Sequence, residues 1–284
     1  MEGWVLRMVS ASIVLLLWAV PSPWPWPHAP GSQTVEARIA PPPGYVRPPA
    51  PPGSFAAWLR GLPVLAGDPA VQLFDGRKKR NQEAHAFVLD LDVGPKDLLQ
   101  CADAVIRLRA EYLFAQGDKA NICFHLTSGD PAPFGRWMRG ERPQISQNRL
   151  RWVRGSTGTS DHAALARYLE FVFTYAGSAS LAAELARPTS PIEAGDVIIR
   201  GGHPGHAIIV LDVAEKDGRR AVLLAQSYMP AQQIHVLRNP KDQASPWYVV
   251  ETEGALETPE WLFEWQDRRR FTQRTCGSTG GGLL

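Results

Sequence analysis

Apolar and polar positions alternate with a period of two over residues 84–93, which predicts a strand there. The same pattern predicts short strands over 71–74, 122–126, 196–199, 207–213 and 221–227. The last two flank Asp217-Gly218, a strong hairpin turn signal. The period changes to the helical one after Gly94-Pro95. Leu98, Cys101 with Ala102, Val105, Leu108 and Tyr112 form one apolar stripe, so a long helix is predicted from Pro95 or Lys96 to about Phe114. A second amphipathic helix is predicted over 162–175. A short one follows Ser54, which has the side chain of an N-cap. Residues 134–158 show weak periodicity and many Arg, Gln and Gly, and read as an irregular excursion. Residues 261–271 read as a closing helix. A long helix followed by antiparallel strands defines an α+β domain, with that helix packed on the sheet.

The ends of the chain follow other rules. The apolar run over 9–20, preceded by Arg7, has the length of a signal-peptide core and is too short for a comfortable membrane span. Residues 1–29 are therefore read as a signal peptide or N-terminal anchor. Residues 30–53, with Pro41-Pro42-Pro43 and Pro48-Pro49-Ala50-Pro51-Pro52, read as a Pro-rich linker without a core. A globular domain is expected over 54–275, and a Gly-rich disordered tail over 276–284. These features place the protein outside the cytoplasm, in the periplasm or cell envelope. The formal charge of +2 gives no reason to expect a nucleic-acid partner, and residues 78–80 read as a solvated basic loop. There are 3 cysteines, Cys101, Cys123 and Cys276. An odd number in an exported chain leaves one thiol free or intermolecular.

Cys101 is the thiol with chemistry around it. A cysteine hydrolase needs a thiol, a base that takes its proton, and a polar group that orients the base. Cys101 falls on the predicted long helix and His206 opens a predicted strand. The hairpin at Asp217 brings residue 206 opposite roughly 226–227, so Gln226 is placed to orient the imidazole. Cys101, His206 and Gln226 are thus the candidate catalytic residues. A helix starting at Pro95 would put Cys101 in the second turn, where the helix field is weaker. A cysteine on an apolar stripe also serves as an ordinary small core residue. The glycines of Gly201-Gly202-His203-Pro204-Gly205 let the backbone approach a cleft closely. Gln100, Gly202, His203, Gly205 and Ser227 are the expected substrate contacts. His203 and His206 lack the further ligands of a zinc site, so no metal and no other cofactor is expected.

Two stretches carry a resemblance. One runs from Asp75-Gly76-Arg77-Lys78-Lys79 through Leu91-Asp92-Val93-Gly94 and Gln100-Cys101-Ala102-Asp103 to Glu111-Tyr112. The other comprises Gly195-Asp196-Val197-Ile198, Gly205-His206-Ala207 and Ala225-Gln226-Ser227-Tyr228-Met229-Pro230. Together they resemble an uncharacterised bacterial family, domain of unknown function 4846, over most of residues 38–271; that family implies no activity. More loosely, Gly195-Asp196-Val197-Ile198 followed by Gly205-His206-Ala207 is similar to a segment of the NlpC/P60 and CHAP cysteine peptidases. That likeness implies a papain-like fold with Cys101 as nucleophile, His206 as base and Gln226 as orienting residue. It implies cleavage of an amide or peptide bond, with cell-wall peptides as the substrate that suits an exported chain. The stretch between Cys101 and His206 is longer than those enzymes use. A second reading is a non-catalytic envelope protein that binds peptidoglycan or glycan, with Trp137, Trp152, Trp247 and Tyr248 as sugar-stacking candidates. A thiol transferase of the transglutaminase kind is a third.

Overall fold

A computed structural model describes residues 24–26, 28–155, 157–250, 254–272 and 276. The export signal read at 9–20 lies outside the described residues.

The centre of the molecule is a seven-stranded sheet. Its strands are β1 (His85–Val88), β2 (Val197–Arg200), β3 (His206–Lys216), β4 (Arg219–Gln226), β5 (His235–Leu237), β6 (Trp247–Val249) and β7 (Arg268–Arg269). The order is β7-β2-β3-β4-β5-β1, with β6 also paired to β4, and every pairing is antiparallel. The main helices are α1 (Phe55–Gly61), α2 (Cys101–Ala115), α3 (His162–Tyr175) and α4 (Ser178–Glu184). The architecture is therefore mixed α+β with antiparallel sheets, as the hydrophobic pattern predicts. Ser54 caps α1 by accepting from the Ala57 N–H, and Asp161 caps α3 in the same way.

The sheet is covered on both faces. Ala207, Ile209 and Leu211 of β3 and Ala221, Leu223 and Ala225 of β4 point into the larger core, against which α2 packs. Ile208 and Val210 of β3 and Val222 and Leu224 of β4 point the other way, towards Leu256, Phe263 and Trp265. Alternate residues thus feed two cores, which is why β3 and β4 read as near-continuous apolar runs.

The β3–β4 hairpin turns at Asp217 and Gly218, both at positive φ (49° and 76°). These are the values that a two-residue hairpin of this twist requires. The pairing then slips by one residue: Leu223 faces Asp212 but Leu224 faces Val210. Leu211 is the unpaired residue of a β-bulge. The bulge decides where the later residues of the hairpin point. In step with the turn, Gln226 would face residue 209 and lie on the sheet face opposite to His206. After the slip it falls level with Ile208, on the face of His206. The simple count that places residue 206 opposite 226–227 is corrected accordingly.

Several other expectations are also corrected. Residues 95–100 do not join the long helix. Asp97 accepts hydrogen bonds from the Ala231 N–H and from the Gln100 side chain, which ties this stretch to the loop after β4. The helix consequently starts at Cys101. The excursion over 134–158 is regular: a short helix (Phe134–Met138) leads into a hairpin of Glu141–Ser146 with Arg149–Arg154. Its turn residues Gln147 and Asn148 both take positive φ. The closing helix over 261–271 is instead a strand (Leu262–Glu264), a 3-10 turn (Trp265–Asp267) and β7. Phe263 alternates with its neighbours and enters the second core.

The Pro-rich stretch over 30–53 is not a spacer standing off the domain. Gln33–Thr34 pairs with Pro63–Val64, and Val35 and Ile39 lie in the main core. Val46 bridges to Glu215, and Arg47 reaches Asp212 inside the sheet. Trp26, which the sequence reading assigns to the leader, is buried against the same core and donates to the Asp90 carbonyl. Prolines satisfy this packing because an extended strap laid on a domain needs few backbone donors. At the other end, Cys276 forms a disulfide with Cys123 across 153 residues. Cys101 is the free cysteine.

Candidate active site

Cys101 is the first residue of α2. Gln100, in extended conformation, precedes it, and its N–H donates to the Asp103 carboxylate at 3.1 Å. A residue at that position belongs to the first turn, where unpaired N–H groups and the helix field favour negative charge. The concern that Cys101 sits a turn too deep is removed. The backbone N–H groups of Ala207, Ala102 and Cys101 itself bear on the sulfur and lower its pKa. Burial outweighs them, and the thiol is held above its ordinary value, with nearby Asp103 adding to the rise. Asp103 is buried enough to push its own pKa up to about 8, so its carboxyl is mainly protonated at neutral pH.

His206 opens β3, next to the Ala207 N–H that faces the thiol. The chain doubles back before it. A side chain at Gly205 would put its Cβ 2.4 Å from the Gly202 carbonyl oxygen and 2.4 Å from Ser178 Oγ, so only glycine fits. The imidazole Nε2 lies 2.8 Å from Gln226 Oε1. Trp261 and Phe263 lie against the ring, at 5.2 and 5.7 Å between centroids, and Tyr228 meets it edge-on at 4.7 Å. This apolar jacket holds the His206 pKa down to about 4, with the charge on Lys79 adding to the fall and the Gln226 bond opposing it.

Cys101 and His206 line one cleft of about 410 Å³. Gln100, Gly202, His203 and Gly205 line it too, so the structure brings four of the five residues expected to touch substrate into one cleft with the pair. Ser227 is not among them. It is fully buried, and its Oγ lies 2.7 Å from the Leu99 carbonyl and 2.8 Å from that of Gln232. It ties the segment before Cys101 to the end of β4. Leu98, Phe173, Met229 and Trp261 complete the apolar part of the wall, and among the described residues no Lys or Arg lines it. A larger cavity of about 760 Å³, beside the disulfide, includes none of the three candidate catalytic residues.

The sequence reading missed the groups behind Gln226. Lys79, read as part of a solvated loop, is buried and paired with Glu260, its Nζ 2.8 and 2.6 Å from the two carboxylate oxygens. Asn81 Nδ2 lies 3.2 Å from the same carboxylate. Gln226 Nε2 donates to Glu260 at 2.8 Å and lies 3.4 Å from His235 Nε2. No periodicity marks Lys79 or Glu260, which lie 181 residues apart in loops.

The other candidates resolve simply. Among the described residues, His203 and His206 gather no further metal ligand; the one cluster of suitable donors is His125, Glu184 and Cys276. The disulfide removes Cys276 as a thiolate ligand. Trp137, Trp247 and Tyr248 are buried, so three of the four sugar-stacking candidates belong to the cores.

These features define an α+β protein with a cysteine at a helix N-terminus and a glutamine-bound histidine in a common cleft. The chain belongs to the family described as domain of unknown function (4846), whose model matches residues 35–270. The match begins at Val35, inside the strap that the fold incorporates. Comparison with curated proteins and with solved structures gives no match.

Proposed function

We propose that the protein is an exported cysteine hydrolase that opens an amide or peptide bond, with peptides of the cell wall as the substrate class, on a papain-like arrangement of helix, strand and strand. The observation that carries this reading is the placement of Cys101 at the first residue of α2 in the same cleft as His206, with His206 bonded to Gln226. The pKa directions favour a neutral thiol and a neutral imidazole at rest, so the base acts during attack rather than beforehand. The Cys101 sulfur adds to the substrate carbonyl carbon as His206 takes the thiol proton. In this reading the N–H groups of the first turn of α2, where Cys101 sits, are the donors offered to the tetrahedral oxyanion. The C–N bond breaks as His206 returns the proton to the leaving amine, which leaves a thioester on Cys101. Water then attacks the thioester, His206 takes a proton from it, and the acid product and the free thiol are released.

The cleft suits a peptide. It is apolar along one wall, and among the described residues no Lys or Arg lines it to select a phosphate or sulfate. The binding-protein reading loses support, because three of its aromatic candidates are buried. The test uses purified peptidoglycan stem peptides, with chromatography and mass spectrometry of the products. Wild type is expected to yield fragments whose masses sum to substrate plus one water, and Cys101→Ala none. Fragments from Cys101→Ala, or none from wild type, contradict the reading.

A further inference from the structure

We propose that Lys79, Glu260 and His235 are positioning residues that fix the side-chain amide of Gln226 and, through it, the tautomer of His206. This rests on the reading of His206 as the base. A glutamine amide has an accepting end and a donating end, and its neighbours decide which way round it sits. The Glu260 carboxylate accepts from Lys79 Nζ at 2.6 and 2.8 Å and from Asn81 Nδ2 at 3.2 Å. It can only accept, so the Gln226 atom 2.8 Å away must be the NH2 group.

His235 constrains the same group from a second side. Its Nδ1 lies 2.9 Å from the Gln233 carbonyl oxygen, which also only accepts. Nδ1 therefore carries the proton of the neutral ring, and Nε2 is bare. That bare nitrogen faces Gln226 Nε2 at 3.4 Å and takes the second amide hydrogen. Both hydrogens of Gln226 are then engaged, and only Oε1 is left for His206 Nε2, at 2.8 Å. An oxygen there requires a donor, so the His206 proton sits on Nε2 and its lone pair on Nδ1. Every member of the set is buried or nearly so, where a reversed amide would turn its oxygen towards two acceptors, the Glu260 carboxylate and the bare Nε2 of His235. Burial keeps both rings neutral, with His235 held down to about 3.

The set thus acts at one remove. None of Lys79, Glu260 and His235 lines the cleft. Their effect is to present a bare Nδ1, and so a base, on the side of the imidazole away from Gln226.

The experiment is long-range 1H–15N NMR of uniformly labelled protein at pH 7, in which the two neutral histidine tautomers have distinct nitrogen shifts. His206 is assigned among the 7 histidines by the resonance lost in His206→Asn. Wild type is expected to show the Nε2–H tautomer at His206. Glu260→Ala is expected to give a mixture of tautomers and to lower kcat at least about tenfold with KM within about twofold, because orientation of the base is lost while the cleft is kept. Glu260→Asp should recover part of both. Glu260→Ala leaves Lys79 buried without a partner, so the double variant Lys79→Met, Glu260→Met is measured beside it and should give the same mixture. A wild-type Nδ1–H tautomer, or an unchanged His206 tautomer in either variant, overturns the proposal. The NMR result stands whether or not the protein proves to be a hydrolase, so the two ideas fail separately.

Discussion

His206→Ala is expected to lower kcat/KM by about a thousandfold or more, comparable to the loss in Cys101→Ala, since members of one catalytic unit do not contribute additively. The sharper signature is in the pH profile. His206 acts as a base only when neutral, and its jacket of Trp261, Phe263 and Tyr228 holds its pKa down to about 4. The sign follows: activity persists as pH falls past the ordinary imidazole range near 6.5 and declines only as pH approaches 4. Burial raises the Cys101 pKa, so no preformed thiolate is expected at neutral pH. An acid limb between 6 and 7 in the profile of kcat/KM would contradict this environment. Trp261→Ala, which opens the jacket, should move the limb upward.

The second large effect is on stability. Asp212 lies inside the sheet with no exposed side chain, next to the bulge that turns Gln226 towards His206. Its two oxygens take Arg47 Nε at 2.5 Å and Arg60 Nε at 2.7 Å, and one also accepts the Val213 N–H at 2.8 Å. Both guanidinium groups are largely buried. The group joins three separate segments: the proline-rich strap, α1 and β3. Whether such a cluster outperforms an apolar one is a separate matter. Removing one partner is costly, because the others stay buried and unpaired. Asp212→Ala is therefore expected to lower the unfolding free energy by about 3–5 kcal/mol, read by denaturant titration at neutral pH. Arg47→Met should cost less, since Asp212 keeps Arg60. A loss below about 1 kcal/mol for Asp212→Ala would show that the cluster carries little of the structure's stability.

The parts of this fold that could be read from the sequence are those governed by local rules. The helix over 162–175, the cap at Ser54 and the turn at Asp217-Gly218 depend on neighbours a few residues away, and each is visible in its own residues. The start of α2 is not, because it depends on Asp97 reaching Ala231 across 134 residues. The hairpin over 141–154 was hidden by its exposure: a ribbon with both faces partly solvated has no apolar alternation to find. The strap over 30–53 was misread because proline composition reports backbone stiffness and says nothing about what the stiff segment lies on.

The candidate site divides in the same way. Cys101, His206 and Gln226 could be picked out by residue type and element order. The bulge at Leu211, which determines whether Gln226 faces His206 at all, has no signal in the residues that form it. Glu260 reaches Gln226 from one loop and Lys79 reaches Glu260 from another, 181 residues away in the chain, and His235 reaches Gln226 from β5, the neighbour of β4. Such groups become visible only once the strands have been placed.

The central claim is that Cys101 carries the acyl group during turnover. Its most direct test is an acid quench within the first turnover on peptidoglycan stem peptides, followed by mass spectrometry of the digested protein. The account predicts an acyl adduct on the peptide containing Cys101, released by neutral hydroxylamine as a thioester is, and absent from Cys101→Ala. Turnover without an adduct on Cys101, or an adduct on another residue, would contradict it.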